Sequence, residues 1–521
     1  MQQNSINSIN SDIDSISTIN TSINFDRDVA VWNSVDFLVG DNEIVEQMSS
    51  IPALTPFNDQ VTAFLTALSE KLMKTGSNRF SDITTFAFWI RRANLIKMKQ
   101  RFGMDPARMV NTVGDVDRFR LGRGTVFHIA PSNVPVNFAY SLVASLLMGN
   151  SNIVRVPSKD FEQVRIITTA INCVLDEGHE HMRPYLACVK YESQSKQARA
   201  INDLFSSLCD VRIVWGGDRT IATLRQSPLP PRSTEVMFAD RYSMCVIDAD
   251  EYLELESILP DETLSGQRKQ TERQQVKQQE KKHNQKLSTI AYNFFNDTYL
   301  TDQNACTSPK VIIWTGKQVK KAMKIFWDYL HYWVKGKYKI QAIQAVDKLT
   351  RAYIEAAIEP CLASSQTANL STGGVASGPS ASINTVSKPA ALVEDDLSAG
   401  IKIEKAEDNL ITRVTVPSVD ILIAIKDSSG FNNNSGYFYE YVCKNSSSHD
   451  SLMELRSLFD DKHCQTVCYI GDKDMFTGLL ESGVKGVDRI VPIGQTMDFD
   501  LLWDGYDLTR ELTRVVTTRT I

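Results

Sequence analysis

The hydrophobic and polar positions between residues 124 and 225 alternate in blocks that predict a repeated strand–helix unit. Short runs rich in β-branched residues have the length of buried strands, and the longer runs between them have helical spacing. The predicted strands are Thr125–Ile129, Asn152–Val156, Pro184–Val189 and Val211–Trp215, and the predicted helices are the run that ends at Met148, Asp160–Leu175, Gln197–Leu208 and Asp218–Arg225. Gly149-Asn150 is the predicted stop of the first of these helices. This rhythm predicts a mostly parallel, doubly wound sheet, whose ligands bind beyond the carboxyl ends of the strands.

Further elements are predicted on both sides of this region. Helical spacing is found at Val61–Lys74, Phe86–Gln100, Leu287–Asn296, Lys317–Trp333 and Ile340–Ala357. Strand-like runs are found at Val311–Trp314, Ile411–Val416, Ile421–Ile425, Gln465–Gly471 and Arg489–Gly494. The second half of the chain is therefore expected to form an α/β domain of its own.

Three stretches lack the apolar residues of a packed core. Residues 1–24 are a near-repeat of Asn, Ser, Ile and Asp and predict a disordered tail. Asp261–Lys286 predicts a solvated helix or a flexible connector. Its glutamates interrupt the positive charge, which argues against a basic nucleic-acid arm. Ser364–Ala391 is rich in Ser, Ala, Gly and Thr and predicts an insertion or mobile loop. The predicted division is a tail at 1–24, a first domain at 25–260, a connector at 261–286, a second domain at 287–485 with an insertion at 364–391, and a C-terminal segment at 486–521.

Composition narrows the class of protein. A chain of 521 residues with 42% apolar and 23% charged residues is typical of a globular protein with two or three domains. The net charge of -6 argues against a general affinity for nucleic acid or anionic membranes. Nine cysteines without disulfide-scaffold spacing, and a chain start without a signal-peptide pattern, favour a reducing cytoplasm. The most apolar run, Phe138–Met148, is too short for a membrane span and predicts a buried helix.

Cys306 is the candidate nucleophile. It follows Asp302-Gln-Asn-Ala and precedes Thr-Ser-Pro309, so its neighbours are small, polar and turn-forming, and a predicted strand comes next. An exposed thiol nucleophile needs such surroundings, whereas structural cysteines usually have bulky apolar neighbours. The alternative is a small core residue in a loop. No cation flanks the cysteine within the loop, so any lowering of its pKa has to come from the fold, for example from a helix N-terminus.

Three further positions can bind an anionic ligand or a developing oxyanion. Asn133 follows a predicted strand, where its amide can donate to an oxyanion. Arg155 ends another strand, and Gly216-Gly217 begin a helix whose free N–H groups favour phosphate. No G-x-G-x-x-G fingerprint follows any predicted strand. Taken singly, each position more often has a purely structural role: Asn133 as a turn former, Arg155 as a surface charge, and Gly216-Gly217 as a simple strand-to-helix turn.

A metal site is a weaker interpretation of the C-terminal cysteines. His463, Cys464 and Cys468 lie close together in the sequence. A cysteine pair four residues apart on a strand should point to one face, and it lacks the further ligands that zinc needs. Core packing is therefore preferred.

A series of short motifs follows in a definite order along the chain: Ile129-Ala-Pro-Ser-Asn133, Gly149-Asn-Ser-Asn-Ile-Val-Arg155-Val-Pro-Ser158, Trp215-Gly-Gly217, Gln303-Asn-Ala-Cys306-Thr-Ser-Pro309, Cys464-Gln-Thr-Val467, Gly486-Val-Asp-Arg-Ile-Val-Pro-Ile-Gly494 and Trp503-Asp-Gly505. Their order resembles the aldehyde dehydrogenase superfamily and, more narrowly, the LuxC-type acyl-CoA (acyl-protein thioester) reductases. The resemblance begins near Gly122 and extends to the C-terminus, apart from the connector and the insertion. As a set the motifs are specific, although each is weak alone.

The resemblance implies a fold and a set of roles. The fold would be two doubly wound, mostly parallel-sheet domains with the active site in the cleft between them. Cys306 would accept the acyl group, and Asn133 and the Cys306 N–H would form the oxyanion hole. Arg155 stands where the superfamily usually has a lysine that holds the cofactor's adenosine ribose. Ser158 replaces a glutamate of NAD-preferring relatives and is followed by Lys159, which favours NADPH.

The resemblance also implies partners. The substrate would be a fatty acyl-CoA or acyl-protein thioester, and the enzyme a homo-oligomer. In the family this reaction supplies aldehyde to bacterial luciferase together with an acyl-transferase and a synthetase, and relatives without light production share the motifs. Neither nucleic acid nor a membrane span is expected.

One departure separates reduction from oxidation. Hydrolytic aldehyde dehydrogenases carry a Glu-Leu-Gly-Gly block whose glutamate activates water, and the corresponding stretch, Phe238–Cys245, has no glutamate. Asp240 is a possible substitute, one carbon shorter. A thioester reductase does not need this water, so reduction is the leading hypothesis. The alternatives are an aldehyde dehydrogenase, a cofactor-free acyltransferase or thioesterase that uses Cys306, and a non-catalytic binding protein.

Overall fold

The computed structural model describes residues 30–75, 79–104, 116–257, 286–368, 401–406 and 408–519. The chain divides into two compact units. The first unit comprises Met1–Ala239 with Leu501–Ile521, and the second comprises Asp240–Asp500. Among the described residues, no helix is both long enough and apolar enough to cross a membrane.

The first unit is built on a six-stranded sheet with the order β1-β5-β4-β3-β6-β7. Its strands are β1 Asp36–Val39, β3 Thr125–Ile129, β4 Ser151–Arg155, β5 Leu186–Lys190, β6 Val211–Trp215 and β7 Thr234–Phe238. Only the edge strand β1 runs antiparallel to its neighbour, and the other pairings of this sheet are parallel. The predicted doubly wound parallel sheet is therefore confirmed.

Helices and two small antiparallel strand pairs complete this unit. The helices are α1 at 30–32, α2 Asn42–Gln47, α3 Asp59–Thr75, α4 Ser81–Trp89, α5 Arg92–Arg101, α6 Asn137–Leu147, α7 Glu162–Asp176, α8 Ala198–Leu208, α9 Asp218–Leu224 and α18 Leu508–Glu511. Two antiparallel pairs are formed by β2 Val116–Gly122 with β17 Thr513–Arg519, and by β15 Leu502–Trp503 with β16 Tyr506–Asp507. α6 is buried almost throughout, because its residues are apolar on every side, as the Phe138–Met148 run predicted.

The predicted stop after α6 also anchors the C-terminal segment. Gly149 has a φ of +88°, a conformation that suits glycine after a helix end. The Asn150 amide oxygen accepts hydrogen bonds from Arg123 N at 2.7 Å and Gly124 N at 3.1 Å. Its amide nitrogen donates to Leu512 O at 3.0 Å. This one side chain therefore joins the start of β3 to the last helix of the chain.

The second unit is built on a seven-stranded sheet with the order β10-β11-β12-β9-β8-β13-β14. Its strands are β8 Tyr242–Asp248, β9 Pro309–Thr315, β10 Lys402–Lys405, β11 Thr412–Val416, β12 Tyr437–Val442, β13 Cys464–Ile470 and β14 Arg489–Pro492. Only the β10–β11 pairing is antiparallel. The helices are α10 Ala249–Ser257, α11 at 286–298, α12 Val319–Lys337, α13 Ala342–Ala368, α14 Val419–Ser429, α15 Ser448–Glu454, α16 Arg456–Phe459 and α17 Thr477–Glu481.

The central strand β9 separates two hydrophobic cores. Val311 and Ile313 point into a core with α14, whereas Ile312 and Trp314 point into one with α11 and α12. This alternation follows from the two-residue period of a strand. All four side chains are fully buried, which explains why the run reads as continuously apolar in the sequence.

The unit boundaries differ from the sequence-based division. In the sequence-based division the first domain ends at 260. In the structure the first unit ends at Ala239, because β8 inserts between β9 and β13 of the second sheet. The C-terminal segment begins at 486 in that division, but β14 still belongs to the second sheet, and the chain returns to the first unit at Leu501. Both unit boundaries are therefore set by pairing between strands that are distant in the sequence.

Two secondary-structure predictions are wrong. Phe86–Gln100 is two helices, α4 and α5, separated at Ile90–Arg91. Ile421–Ile425 was expected to be a strand but lies inside α14. The Ser418 hydroxyl caps that helix by accepting from Ile421 N, and Gly430 ends it with a φ of 59°. Capping at both ends outweighs the β-branched content of the segment.

Cys464 and Cys468 do not share a face. Cys464 packs in the core with α14, and Cys468 in the core with α11 and α12. The register of β13 against β8 shifts between Cys464 and Val467, which reverses the alternation of the later residues. Both cysteines are core residues, as preferred, although the expectation that they point to one face is wrong.

Three sequence-based predictions fall wholly or largely outside the described residues. They are the polar tail at 1–24, the connector at 261–286 and the insertion at 364–391. Of the insertion, only the first five positions are described, and these complete α13, which ends at Ala368.

Candidate active site

Cys306 lies in a short loop at the amino end of β9 and is partly buried. The loop follows a 3₁₀ turn at Tyr299–Thr301. Asp302 and Gln303 both have left-handed backbone conformations, with φ of 51° and 61°. Such a conformation is uncommon for residues other than glycine and persists only when the surroundings impose it. The contacts of the loop supply that constraint.

The side chain of Gln303 is the main anchor of the loop. Its amide nitrogen donates to Pro309 O at 2.9 Å and Tyr437 O at 3.2 Å. Its amide oxygen accepts from Gly436 N at 3.0 Å and Tyr437 N at 3.2 Å. The buried amide thus uses both its donors and its acceptor to join the loop to the amino end of β12.

Ser243 fixes the backbone of Cys306 itself. This fully buried residue of β8 donates from its hydroxyl to Cys306 O at 2.7 Å. The same hydroxyl accepts from Thr466 N of β13 at 3.3 Å. One side chain therefore satisfies a partly buried carbonyl of the Cys306 loop and a buried N–H of a neighbouring strand.

A buried cation lies beside the loop. Lys310, the second residue of β9, is 6% exposed. Its ammonium group donates to Gln303 O and, at 2.6 Å, to Asn433 O. Burial lowers the pKa of Lys310 to about 7, while the charge of Cys306 acts in the opposite direction and raises it. The sequence does not predict this cation, because nothing in the neighbours of a strand lysine shows that its side chain turns towards the preceding loop.

A buried carboxyl group lies in the helix before the loop. Asp297 of α11 accepts hydrogen bonds from Gly494 N at 2.6 Å and Thr496 N at 3.3 Å. Desolvation raises the pKa of Asp297 to about 7, although these hydrogen bonds oppose the rise. The residue after Thr496, Met497, accepts a hydrogen bond from the Thr307 hydroxyl through its sulfur at 3.1 Å. Asp297 therefore supports the segment that contacts the residue after Cys306.

In the first unit, three of the predicted positions follow neighbouring strands. Asn133, Arg155 and Gly216 come at or after the carboxyl ends of β3, β4 and β6, which are consecutive in the sheet. Asn133 is exposed in the loop between β3 and α6. The rule that ligands bind at the carboxyl edge therefore describes these residues, whereas Cys306 lies at the amino edge of its own sheet.

Arg155 is largely buried and packed against one aromatic ring. Its guanidinium carbon lies 4.6 Å from the ring centre of Tyr191, and the group donates to Ser193 Oγ and, at 3.5 Å, to Tyr191 O. Its Nε is buried and has no hydrogen-bond partner among the described residues. An unpaired buried donor at a strand end is consistent with a polar ligand at this position.

The loop after β4 carries the positions that were assigned to cofactor choice. Ser158 and Lys159 are both exposed. The acid that follows them in the chain, Asp160, lies 3.9 Å from Arg165. Position 158 carries no carboxylate and is followed by a lysine, so these residues are compatible with a cofactor that carries a 2′-phosphate.

The glycine turn after β6 is geometrically as expected. A Cβ on Gly216 would lie 3.1 Å from the Thr220 side chain, so a larger residue would be crowded there. Gly217 is the N-cap of α9 and makes no side-chain cap. However, Asp218 places a carboxylate in the first turn, and this charge opposes phosphate at the helix end.

A buried polar chain supports the strands that precede these residues. Trp215 Nε1 donates to Ser141 Oγ at 3.0 Å, and that hydroxyl lies 2.8 Å from His128 Nδ1. His128 Nε2 lies 3.0 Å from Asn152 Oδ1. Since Asn152 Oδ1 only accepts, His128 carries its proton on Nε2 and Ser141 donates to Nδ1. Burial lowers the pKa of His128 to about 4. None of these four residues is distinguished as functional by a sequence motif.

One cavity of the second unit lies away from Cys306. It has a volume of about 630 Å³ and is lined by residues that follow β9 and β12, including Lys317, Lys320, Lys321 and Lys444. Cys306 precedes β9, so the cavity and the thiol are at opposite ends of that strand. Asp240, the possible substitute base, is exposed before β8.

Comparison with known proteins gives a family match and a fold match. A family model described as acyl-CoA reductase (LuxC) matches residues 97–326. Long-chain acyl-protein thioester reductase 2 of Photobacterium leiognathi is 28% identical over 128 residues, which cover 25% of this chain and 26% of that protein. The match thus spans about a quarter of the length of this curated relative. The resemblance read from the motifs is confirmed by these two matches.

Solved structures establish the fold. A 1-pyrroline-5-carboxylate dehydrogenase from Thermus with bound NAD is 12% identical, with 92% of this chain and 84% of that chain covered and a TM-score of 0.51. Aldehyde dehydrogenase 21 from Physcomitrella patens, in complex with succinate, is 10% identical, with 91% and 89% covered and a TM-score of 0.53. The chain has the aldehyde dehydrogenase fold, as the resemblance implied.

Proposed function

We propose that this chain, which matches the LuxC acyl-CoA reductases over residues 97–326 and has the aldehyde dehydrogenase fold, reduces a long-chain fatty acyl thioester to the fatty aldehyde with NADPH. The observation that carries the proposal is the Cys306 loop. The cysteine is partly exposed. The side chain of Gln303 fixes the loop before it, and the hydroxyl of Ser243 binds the carbonyl of Cys306 itself. Such pre-organisation suits a nucleophile.

The proposed chemistry begins at the sulfur of Cys306. Its thiolate adds to the thioester carbonyl, the carbon–sulfur bond to the leaving thiol breaks, and an acyl-cysteine forms. A bound nicotinamide cofactor supplies the hydride that reduces this acyl group. The resulting thiohemiacetal on Cys306 collapses to aldehyde and regenerates the thiolate. The exchange of one thioester for another requires little free energy, so stabilising the oxyanion is the main task of the protein.

Asn133 is the proposed side-chain donor to that oxyanion, together with the N–H of Cys306. Its exposure in the β3–α6 loop leaves the amide accessible to a ligand. The buried chain from Trp215 through Ser141 and His128 to Asn152 holds β3, β4, β6 and α6 together beneath this loop. The rigidity of that base supports a donor that is fixed before the reaction begins.

For the cofactor, the proposed contacts are Arg155, Ser158 and Lys159, with Gly216-Gly217 near the phosphates. Arg155 offers its unpaired buried Nε, and Lys159 offers a positive charge beside Ser158. The carboxylate of Asp218, in the first turn of α9, argues against a phosphate bound directly at the N-terminus of that helix. Lys159 and Ser158 therefore carry the preference for NADPH over NADH in this proposal.

The lack of a positioned glutamate supports reduction over oxidation. Phe238–Cys245 has no glutamate, and Asp240 is exposed at the start of that stretch. We further propose a cytoplasmic homo-oligomer that takes its substrate as acyl-CoA or as an acyl-protein thioester, from an acyl-protein synthetase or an acyl-transferase.

A panel of acyl-CoA chain lengths with NADPH and NADH tests the proposal. We expect thioester-dependent NADPH oxidation with aldehyde as the product, measured by gas chromatography after derivatisation. Aldehyde oxidation to acid with NADP, without thioester reduction, would identify an aldehyde dehydrogenase instead. Thioester cleavage without cofactor consumption would identify a thioesterase or acyltransferase.

A further inference from the structure

Lys310 is a buried ammonium group whose hydrogen-bond acceptors are backbone carbonyls. It contacts Gln303 O on one side, three residues before the cysteine, and Asn433 O on the other. The Asn433 amide in turn donates to Tyr437 O, at the start of β12. The ammonium therefore bridges the nucleophile loop and the segment that precedes β12.

No carboxylate of the described residues pairs with Lys310. Two charged groups act on it: the thiolate form of Cys306 would stabilise the ammonium, and the guanidinium of Arg351 from α13 opposes it. Of the other titratable groups near this end of the sheet, Glu355 of α13 is held by the hydroxyls of Tyr437 and Tyr439. An ionised Cys306 would thus be the acidic group that acts on this cation.

Electrostatic stabilisation between two groups is mutual. If the Cys306 thiolate favours the charged form of Lys310, then the Lys310 ammonium favours the thiolate by the same free energy. Low solvent access makes the effect larger than at a surface, since Lys310 is only 6% exposed. The fold thereby provides a cation that the loop sequence lacks.

Lys348 provides a natural comparison within the same unit. Its ammonium is also buried, and it donates to Asn409 O at 2.8 Å, Ser435 O at 3.1 Å and Gly436 O at 3.3 Å. Burial also lowers the pKa of Lys348 to about 7. The charged groups that act on it are Lys405 and Asp408, without a contribution from Cys306. The two lysines therefore differ in their effect on the cysteine rather than in burial.

We propose that Lys310 is a positioning residue for the nucleophile, which holds the Cys306 loop through Gln303 and favours the thiolate form of the cysteine through its charge. This inference rests on the proposed role of Cys306. It concerns thiol reactivity, so it can be measured without substrate or cofactor, and its failure is distinguishable from failure of the proposed reaction.

The test is the pH profile of Cys306 alkylation by iodoacetamide, followed by peptide mass spectrometry on the full chain. For Lys310→Met we expect the profile to move to higher pH and alkylation at pH 7 to slow by about tenfold, because loss of a positive charge beside the loop raises the pKa of the thiol and one pKa unit is a tenfold change in the thiolate fraction. Lys310→Arg, which keeps the charge, should restore most of the rate. Lys348→Met should leave the midpoint of the profile unchanged.

Circular dichroism and thermal melting establish which variants fold. An unchanged Cys306 profile in folded Lys310→Met would overturn the proposal, as would equal shifts in Lys310→Met and Lys348→Met. If Lys310→Met does not fold, Lys310→Arg decides the question. A pH midpoint in Lys310→Arg at or below the wild-type midpoint supports a charge effect. A midpoint well above the wild-type value contradicts the proposal.

Discussion

The hydroxyl of Ser243 donates to the backbone carbonyl of Cys306 at 2.7 Å, and this bond ties the proposed nucleophile to a neighbouring strand. Because the same hydroxyl accepts from Thr466 N, the three strands β8, β9 and β13 are locked at their amino ends. Cys306 is therefore held by the sheet rather than by its own loop alone.

Ser243→Ala should destabilise the second unit and loosen the loop. The substitution leaves the partly buried carbonyl of Cys306 and the buried N–H of Thr466 without their side-chain partner, which costs about 1–3 kcal/mol. We expect a lower unfolding midpoint in denaturant and a lower kcat, with a smaller change in KM. Ser446→Ala, at an exposed position, is the matched control and should change neither value. A Ser243→Ala enzyme with wild-type stability and kcat would show that the bond is dispensable.

His128 predicts an acid sensitivity of the first unit. The pKa of this buried residue is about 4 in the folded chain, below its ordinary value of 6.5, so the unfolded chain binds more protons between these pH values. The stabilisation is complete above pH 6.5 and is lost as the pH falls towards 4. The loss amounts to about 3 kcal/mol.

Denaturant unfolding of wild type and His128→Gln between pH 7.5 and 4 measures this contribution. The wild type should lose stability more steeply with falling pH than the variant, which cannot titrate at this position. His181→Gln, at an exposed histidine, should follow the wild-type curve. Parallel curves for wild type and His128→Gln would contradict the assignment.

Ser158→Glu should reverse the cofactor preference. A carboxylate at this position would repel a 2′-phosphate and accept hydrogen bonds from ribose hydroxyls. We expect kcat/KM for NADPH to fall by about tenfold or more, with a smaller change or a gain for NADH. Lys196→Glu changes the charge at another exposed position of the same unit and should affect both cofactors little. An unaltered NADPH to NADH ratio would remove Ser158 from the cofactor site.

Local patterns predicted much of the fold. β3 and β6 have the predicted bounds, and Gly149-Asn150 ends α6 as expected, because strand length, β-branched content and helix stops are written in neighbouring residues. The Ile421–Ile425 segment shows the limit of the approach. Its composition favours a strand, but the caps at Ser418 and Gly430 and burial of Leu422 and Ile425 make it a helix.

The candidate site was only partly predictable, for a similar reason. Cys306 and Asn133 stand in recognisable motifs, whereas Ser243 is 63 residues from Cys306 in sequence and meets it only through strand pairing. Lys310 is close in sequence, yet its side-chain direction depends on the carbonyl of Asn433, 123 residues away. Contacts of this kind are set by the register of the sheet, which a single sequence does not give.

The most direct test of the account is to trap the acyl group. Wild-type protein is incubated with a long-chain acyl-CoA without NADPH, digested and analysed by mass spectrometry, beside Cys306→Ala and Cys173→Ala. Cys173 is the matched control, because among the described cysteines only Cys173 and Cys306 are partly exposed. We predict one acyl group on the Cys306 peptide in wild type and Cys173→Ala, released as aldehyde when NADPH is added, and none in Cys306→Ala. Acylation that persists in Cys306→Ala, or NADPH-dependent turnover at the wild-type rate in that variant, would contradict the central claim.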